Sequence, residues 1–192
     1  MSITLIIGPM FSGKTTEMFR LVRNKYIADN TVRVYKYDKD VRYRKKELAC
    51  SHDGQEYPAI PINDFTHEIV PDNIDVIGID EGQFITGLVE FCERNAEAGK
   101  TIIVSGLDSN FKKEAFQSII NLIPKCEHIE KLHAVCILCK KDASFTRKLN
   151  PENTEIEDIG GADKYLSTCR SCFTKEIDPK IWMKYQLKMK FK

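Results

Sequence analysis

The chain has 192 residues, with 29 Lys plus Arg against 28 Asp plus Glu, a net charge of +1, and 42% hydrophobic and 30% charged residues. That is ordinary globular composition, which excludes collagen-like, mucin-like and strongly disordered chains, and the balanced charge gives no overall reason to expect nucleic acid or a membrane surface as partner. The longest apolar runs are strand-sized, far short of the roughly 18 residues of a membrane span.

Ile3–Ile7 reads as a short buried strand ending at Gly8-Pro9. The run Gly8-Pro9-Met10-Phe11-Ser12-Gly13-Lys14-Thr15 fits GxxxxGK(S/T) in full, and Thr16–Ala28 follows with apolar residues at helical spacing. Strand, glycine-rich loop and helix are the context this phosphate-binding motif requires. Its backbone N–H groups wrap a phosphate chain, and the helix N-terminus adds partial positive charge. Gly13 permits close approach, Lys14 reaches the β- and γ-phosphates, and the Thr15 hydroxyl can ligate Mg²⁺.

Val32–Tyr35 is expected to be a second strand and Ile74–Asp80 a third. Asp80 then stands where a parallel sheet opens onto its crevice, placed to hold Mg²⁺ directly or through water. Glu81 follows at once, and a second acid there can orient or deprotonate an attacking group. A helix over Phe84–Ala98 should stop at Gly99, Thr101–Ser105 is a fourth strand, and a helix over Lys113–Leu122 should stop before Pro124. This alternation predicts an α/β core with a parallel sheet of the P-loop NTPase type over residues 1–130. The phosphoryl acceptor stays open at this point. Water would make the chain an NTPase, and a small-molecule hydroxyl would make it a kinase.

The pattern changes after residue 130. Cys136-Ile137-Leu138-Cys139 and Cys169-Arg170-Ser171-Cys172 are two CxxC pairs. Four thiolates in two knuckles suit tetrahedral structural Zn²⁺, stapling a small β-rich lobe that cannot build its own core. Two pairs favour metal over redox chemistry, and an odd total of seven cysteines argues for reduced thiols in the cytoplasm rather than a secreted disulfide framework. His128 and His133 read as surface or strand residues. The lobe is placed at 131–175 and a basic tail at 176–192, either a docking tail or a plain terminus. Charge is uneven: residues 20–46 hold ten bases and three acids, and residues 47–99 hold twelve acids and one base.

Taken together, Gly8–Thr15 with Thr16-Glu17, Asp80-Glu81-Gly82-Gln83-Phe84, Gly106-Leu107-Asp108, Leu122–Pro124, the two CxxC pairs and Gly160-Gly161-Ala162-Asp163-Lys164-Tyr165 closely resemble the type II thymidine kinases in a compact viral or bacterial form. The resemblance runs from Ile3 to Phe173. It implies transfer of the γ-phosphoryl of ATP to the 5′-hydroxyl of thymidine, with deoxyuridine as an alternative acceptor, Glu81 as general base and Lys14, Thr15 and Asp80 at the phosphate and magnesium positions. Asp40 and Arg42 match a charged pair near the phosphates and the acceptor end, which implies a catalytic role for Arg42 and cofactor binding for Asp40. Met10, Leu107, Phe111, Phe116 and Tyr165 match the nucleoside pocket, and Thr146 a residue near the base. The segment between the knuckles resembles a lasso loop that offers backbone hydrogen bonds around Ile156, Glu157, Asp158 and Ile159. A homotetramer and feedback inhibition by thymidine triphosphate are further implications. Asp158 departs from the family's aliphatic residue, so its carboxylate is expected either to loosen the lasso or to face solvent. Asn150-Pro151-Glu152-Asn153 makes the lasso tip this chain's own.

Overall fold

The structure is a computed structural model that describes residues 1–39, 47–51, 54–149, 154–158 and 160–190. The strands are β1 (Ser2–Ile7), β2 (Val32–Tyr37), β3 (Leu48–Cys50), β4 (Glu56–Pro58), β5 (Ile60–Ile62), β6 (Val76–Asp80), β7 (Thr101–Gly106), β8 (His128–Lys131), β9 (Ala134–Val135), β10 (Asp142–Ala143), β11 (Phe145–Lys148) and β12 (Tyr165–Thr168). The helices are α1 (Lys14–Ile27), α2 (Leu88–Glu97), α3 (Gln117–Leu122) and α4 (Pro179–Lys190).

Six strands form one sheet in the order β5-β2-β6-β7-β1-β8, and every pairing in it is parallel. Successive side chains on a strand point to opposite faces, and this sorts the core. Ile6, Val34, Val76 and Ile103 meet Met18, Phe19 and Val22 of α1 on one face. Leu5, Ile7, Ile77, Ile79, Ile102 and Val104 meet Leu88 and Phe91 of α2 and Ile119 and Leu122 of α3 on the other. Because both faces are covered, β6 and β7 read as near-continuous apolar runs, as buried parallel strands do. Each such aliphatic side chain contributes roughly 1.5–3 kcal/mol on burial. Tyr35 packs edge-on against Phe65 and Phe91, whose rings stack with centroids 3.9 Å apart.

Two expected helices begin later than their sequence pattern predicts. Residues 82–84 form a single 3₁₀ turn, and α2 starts only at Leu88. The intervening backbone is taken up elsewhere: Phe65 N–H donates to Thr86 O, and Thr86 N–H donates to Asn63 O. Residues 113–116 stay outside α3 because Asn110 Oδ1 accepts from the N–H groups of Lys112 and Glu114 and closes a tight turn. Such local side-chain bonds compete with helix formation.

Beyond β8 the chain forms two antiparallel pairs, β9 with β10 and β11 with β12. Their buried cluster is Ala134, Cys136, Ala143 and Cys172. Among the described residues Ile137, Tyr165 and Leu166 are also buried in the lobe, and so small an apolar set needs another source of stability. The basic C-terminal segment contains α4, and its Tyr185 ring meets Phe11 edge-on with centroids 5.9 Å apart.

Candidate active site

The loop after β1 is curled by left-handed backbone at Phe11 (φ 65°) and Gly13 (φ 86°). Alternation of that kind gathers successive N–H groups into an anion-binding concavity. Gly8 is required by contact: a Cβ there would lie 2.4 Å from Leu132 O. Ser12 Oγ and Lys14 Nζ both donate to Pro9 O at 2.8 Å, and Lys14 is buried at the first turn of α1 beside half-buried Thr16. Met10 N–H donates to Thr146 Oγ1 at 2.9 Å, which fastens the loop to β11.

Asp80 ends β6 and is buried. Its Oδ1 accepts from Thr15 Oγ1 at 3.1 Å and from Ser105 Oγ at 2.6 Å. Ser105 lies on β7, between β6 and β1, so the sheet order itself supplies the hydroxyl that orients Asp80. Sequence reasoning missed Ser105, since a serine near a strand end carries no local signal. A carboxylate beside the Thr15 hydroxyl is a hard-oxygen donor set suited to Mg²⁺.

Glu81 takes left-handed backbone (φ 54°), unusual for a residue with a side chain. The turn separates the two acids, so that Asp80 faces the phosphate loop and Glu81 lines a neighbouring cleft. Gln83 then bridges two elements. Its Nε2 donates to Glu81 Oε2 at 2.7 Å, and its Oε1 accepts from Leu107 N–H at 3.0 Å.

The cleft encloses about 560 Å³ not filled by protein, part of it open to solvent. The expected residues Met10, Glu81, Leu107, Phe111, Phe116, Thr146, Ile156, Asp158 and Tyr165 all line it. Tyr37, Phe84, Ser109, Asn110 and Gly160 line it as well and were not singled out from sequence. Phe84 could have been, since it sits in the Asp80–Phe84 run. Its ring meets Phe116 edge-on at 5.5 Å.

Two lasso residues differ from expectation. The Glu157 carboxylate accepts from Tyr37 OH at 2.5 Å and pairs with Lys39 at 2.9 Å, so it braces the loop against β2 instead of entering the cleft. Those two donors hold its carboxyl below the usual range. Asp158 neither loosens the loop nor faces solvent: its side chain is 9% exposed and ion-paired with Lys148 and Lys164. Both lysines hold its carboxyl below the ordinary value. Tyr165 OH donates to Asp158 O at 2.6 Å, and burial pushes that phenol up to about 12. Asp40, Arg42, Ile159 and the tip at 150–153 lie outside the described residues.

The Sγ atoms of Cys136, Cys139, Cys169 and Cys172 all lie within 4.8 Å of one another, with Cys139 and Cys169 at 3.6 Å. Tetrahedral Zn–S bonds of about 2.3 Å put thiolates about 3.8 Å apart, so this donor set fits zinc. The lobe also reaches the cleft wall. Lys113, on the loop carrying Phe111 and Phe116, lies 4.6 Å from the Phe145 ring centroid and 3.8 Å from that of Phe173, next to Cys172.

The family model for thymidine kinase matches residues 1–173. The chain belongs to the thymidine kinase family. It is 49% identical over 172 residues to the thymidine kinase of Myxoma virus (strain Lausanne), covering 89% of this chain and 95% of that one. It is 48% identical over 177 residues to the cytosolic thymidine kinase of Homo sapiens, covering 91% of this chain and 74% of the relative. Thymidine kinase 1 of Dictyostelium discoideum is 44% identical over 180 residues, covering 91% and 78%. The thymidine kinase match ends at residue 173, so α4 lies beyond it. Among the described residues no helix is long and apolar enough to cross a membrane.

Proposed function

We propose that this thymidine kinase phosphorylates thymidine to dTMP in the cleft at Glu81, using ATP held on the phosphate loop. One observation carries the reading. Asp80 is bonded to Thr15 of the phosphate loop, while the next residue, Glu81, lines an apolar, aromatic-walled cleft. Phosphate-side and acceptor-side carboxylates are thus consecutive residues split by one turn.

Glu81 accepts the proton of the thymidine 5′-hydroxyl as that oxygen forms its bond to the γ-phosphorus. The bond from the γ-phosphorus to the β–γ bridging oxygen breaks, and ADP leaves with the electron pair. Lys14 and the N–H groups of Gly8–Thr15 (Gly8, Pro9 lacking its own N–H, Met10, Phe11, Ser12, Gly13, Lys14, Thr15) hold and neutralise the phosphates, with Thr16 behind them and Asp40 and Arg42 expected nearby. Thr15 and Asp80 would hold Mg²⁺, which when bound would offset the negative charge of phosphoryl transfer. Gln83 keeps Glu81 aimed at the acceptor.

Phe111, Phe116, Leu107 and Phe84 grip the flat base, and the lasso backbone around Ile156–Ile159 reads its edge. Closure of the lasso excludes water, which would otherwise take the phosphoryl group. The zinc lobe at 131–175 serves the core at 1–130 as a structural wall, and 176–192 forms a basic tail. Assembly as a homotetramer and inhibition by thymidine triphosphate belong to the same proposal. The cytosolic relatives of Homo sapiens and Bos taurus support a cytoplasmic location. The test is ATP-dependent phosphorylation across a panel of nucleosides. Thymidine should be the preferred acceptor, and stimulated hydrolysis without a phosphorylated nucleoside would sink the reading.

A further inference from the structure

Lys148 closes β11, and its side chain is 3% exposed. A buried ammonium needs a defined partner, and this one has several. Its Nζ lies 2.8 Å from Asp158 Oδ2, donates to Glu155 O at 3.0 Å, and stands 4.9 Å from the centroid of the Phe111 ring. The other Asp158 oxygen takes Lys164, and the Asp158 carbonyl takes Tyr165 OH. One cation therefore touches two points of the lasso and the aromatic wall of the cleft at once. Glu155 and Asp158 bracket Ile156, which lines that cleft.

We propose that Lys148 and Asp158 form a buried ionic latch that holds the lasso in its closing shape, and are positioning residues for the nucleoside. The inference rests on the reading of this cleft as the nucleoside site. Neither side chain is needed for phosphoryl transfer itself. The latch sets how often the lasso presents its backbone to the base, so it acts on acceptor affinity before turnover. Removing one partner strands a charge in a poorly solvated place, whereas replacing both with apolar side chains of similar bulk does not. That asymmetry separates a latch from a loop that merely carries two charges.

The experiment compares wild type with Asp158→Val, Lys148→Met, the double variant Lys148→Met/Asp158→Val, and Lys148→Arg. Hydrogen exchange of residues 154–165 is followed without nucleoside, and thymidine KM and kcat are measured at saturating ATP. Each apolar single variant should exchange about tenfold faster in this segment and raise KM about tenfold, with kcat falling no more than about threefold. The double variant should recover most of both losses, and Lys148→Arg should stay near wild type because it keeps the cation. Wild-type exchange and KM in both single variants would overturn the latch. So would a double variant no better than the worse single, or a loss confined to kcat. If wild type itself fails to phosphorylate thymidine, the reading of the cleft falls, while the ligand-free exchange arm still decides the latch.

Discussion

Gln83 Nε2 stands 2.7 Å from Glu81 Oε2, and the same amide accepts the Leu107 N–H through its oxygen. The side chain expected to take the proton is thus tied to the wall of the acceptor cleft. Its aim depends on a buried amide two residues downstream.

Replacing Gln83 with Leu should cost about tenfold in kcat/KM for thymidine, since a lost buried hydrogen bond costs about 1–3 kcal/mol. Glu81→Gln should cost roughly 10²–10⁴-fold in kcat while leaving nucleoside binding in place. Steady-state kinetics with thymidine, alongside equilibrium binding, checks both. A Glu81→Gln enzyme that keeps half its turnover would move the base elsewhere.

Ser105→Ala should act through the metal requirement. Without the 2.6 Å bond from Ser105, Asp80 keeps Thr15 but loses the hydroxyl that orients it from β7. The Mg²⁺ concentration for half-maximal rate should rise about tenfold, the low end of what one hydrogen bond to a charged group contributes, and saturating Mg²⁺ should restore most of the rate. A Mg²⁺ titration of initial rates decides this.

Zinc removal should weaken thymidine binding before ATP binding. The lobe holds Thr146, which fixes Met10, and the Phe145–Phe173 pair that cradles Lys113. Purified protein should contain one zinc per chain by elemental analysis. Lys113→Met should raise thymidine KM a few-fold, because an exposed cation over aromatic rings contributes about 0.5–1 kcal/mol. ATP affinity measured in parallel should change little in that variant.

Tyr165→Phe deletes one buried bond to the lasso backbone, and Glu157→Ala deletes the brace to Tyr37 and Lys39. Tyr165→Phe should raise thymidine KM by about five- to tenfold, as a single buried bond does. Glu157→Ala, being half-exposed, should have the smaller effect and keep preference for thymidine over deoxycytidine and deoxyguanosine. Lost discrimination in Glu157→Ala alone would put specificity in that side chain.

Acid should not open the lasso until the pH is low. Among the described residues Lys148 and Lys164 pair with the Asp158 carboxylate and Tyr165 OH donates to its carbonyl, and the two lysines hold the carboxyl below its ordinary value. A depressed carboxylate contributes stability that is full above the unfolded value, near about 3.9, and is lost as pH falls through the folded one. Hydrogen exchange of residues 154–165, corrected for intrinsic rates, should therefore be flat between pH 8 and pH 5. A transition inside that window would mean a different group governs closure.

What sequence made legible was whatever chemistry is written in contiguous residues. The phosphate loop, the Asp80–Glu81 pair and the CxxC knuckles each carry their signature within a few positions. The unbroken apolar run Leu5-Ile6-Ile7 likewise announces a strand covered on both faces. Features that depend on distant partners stayed hidden. Thr86 leaves the helical pattern because Asn63 and Phe65 claim its backbone. The edge strand β8 is exposed throughout and has no apolar rhythm to betray it. Ser105 and Lys148 matter only because β7 and the lasso bring Asp80 and Asp158 to them.

The four knuckle thiols are unequally sheltered: Cys136 and Cys172 are buried, Cys169 is intermediate, and Cys139 is exposed. Air, peroxide and chelators therefore meet the lobe at Cys139 first. An ageing preparation should decay from one side, with its grip on the nucleoside slackening while the phosphate loop, seated on the main sheet, stays sound. Stored enzyme would then look like a catalyst hungry for substrate rather than a dead one, and assays run only at high thymidine would miss the damage.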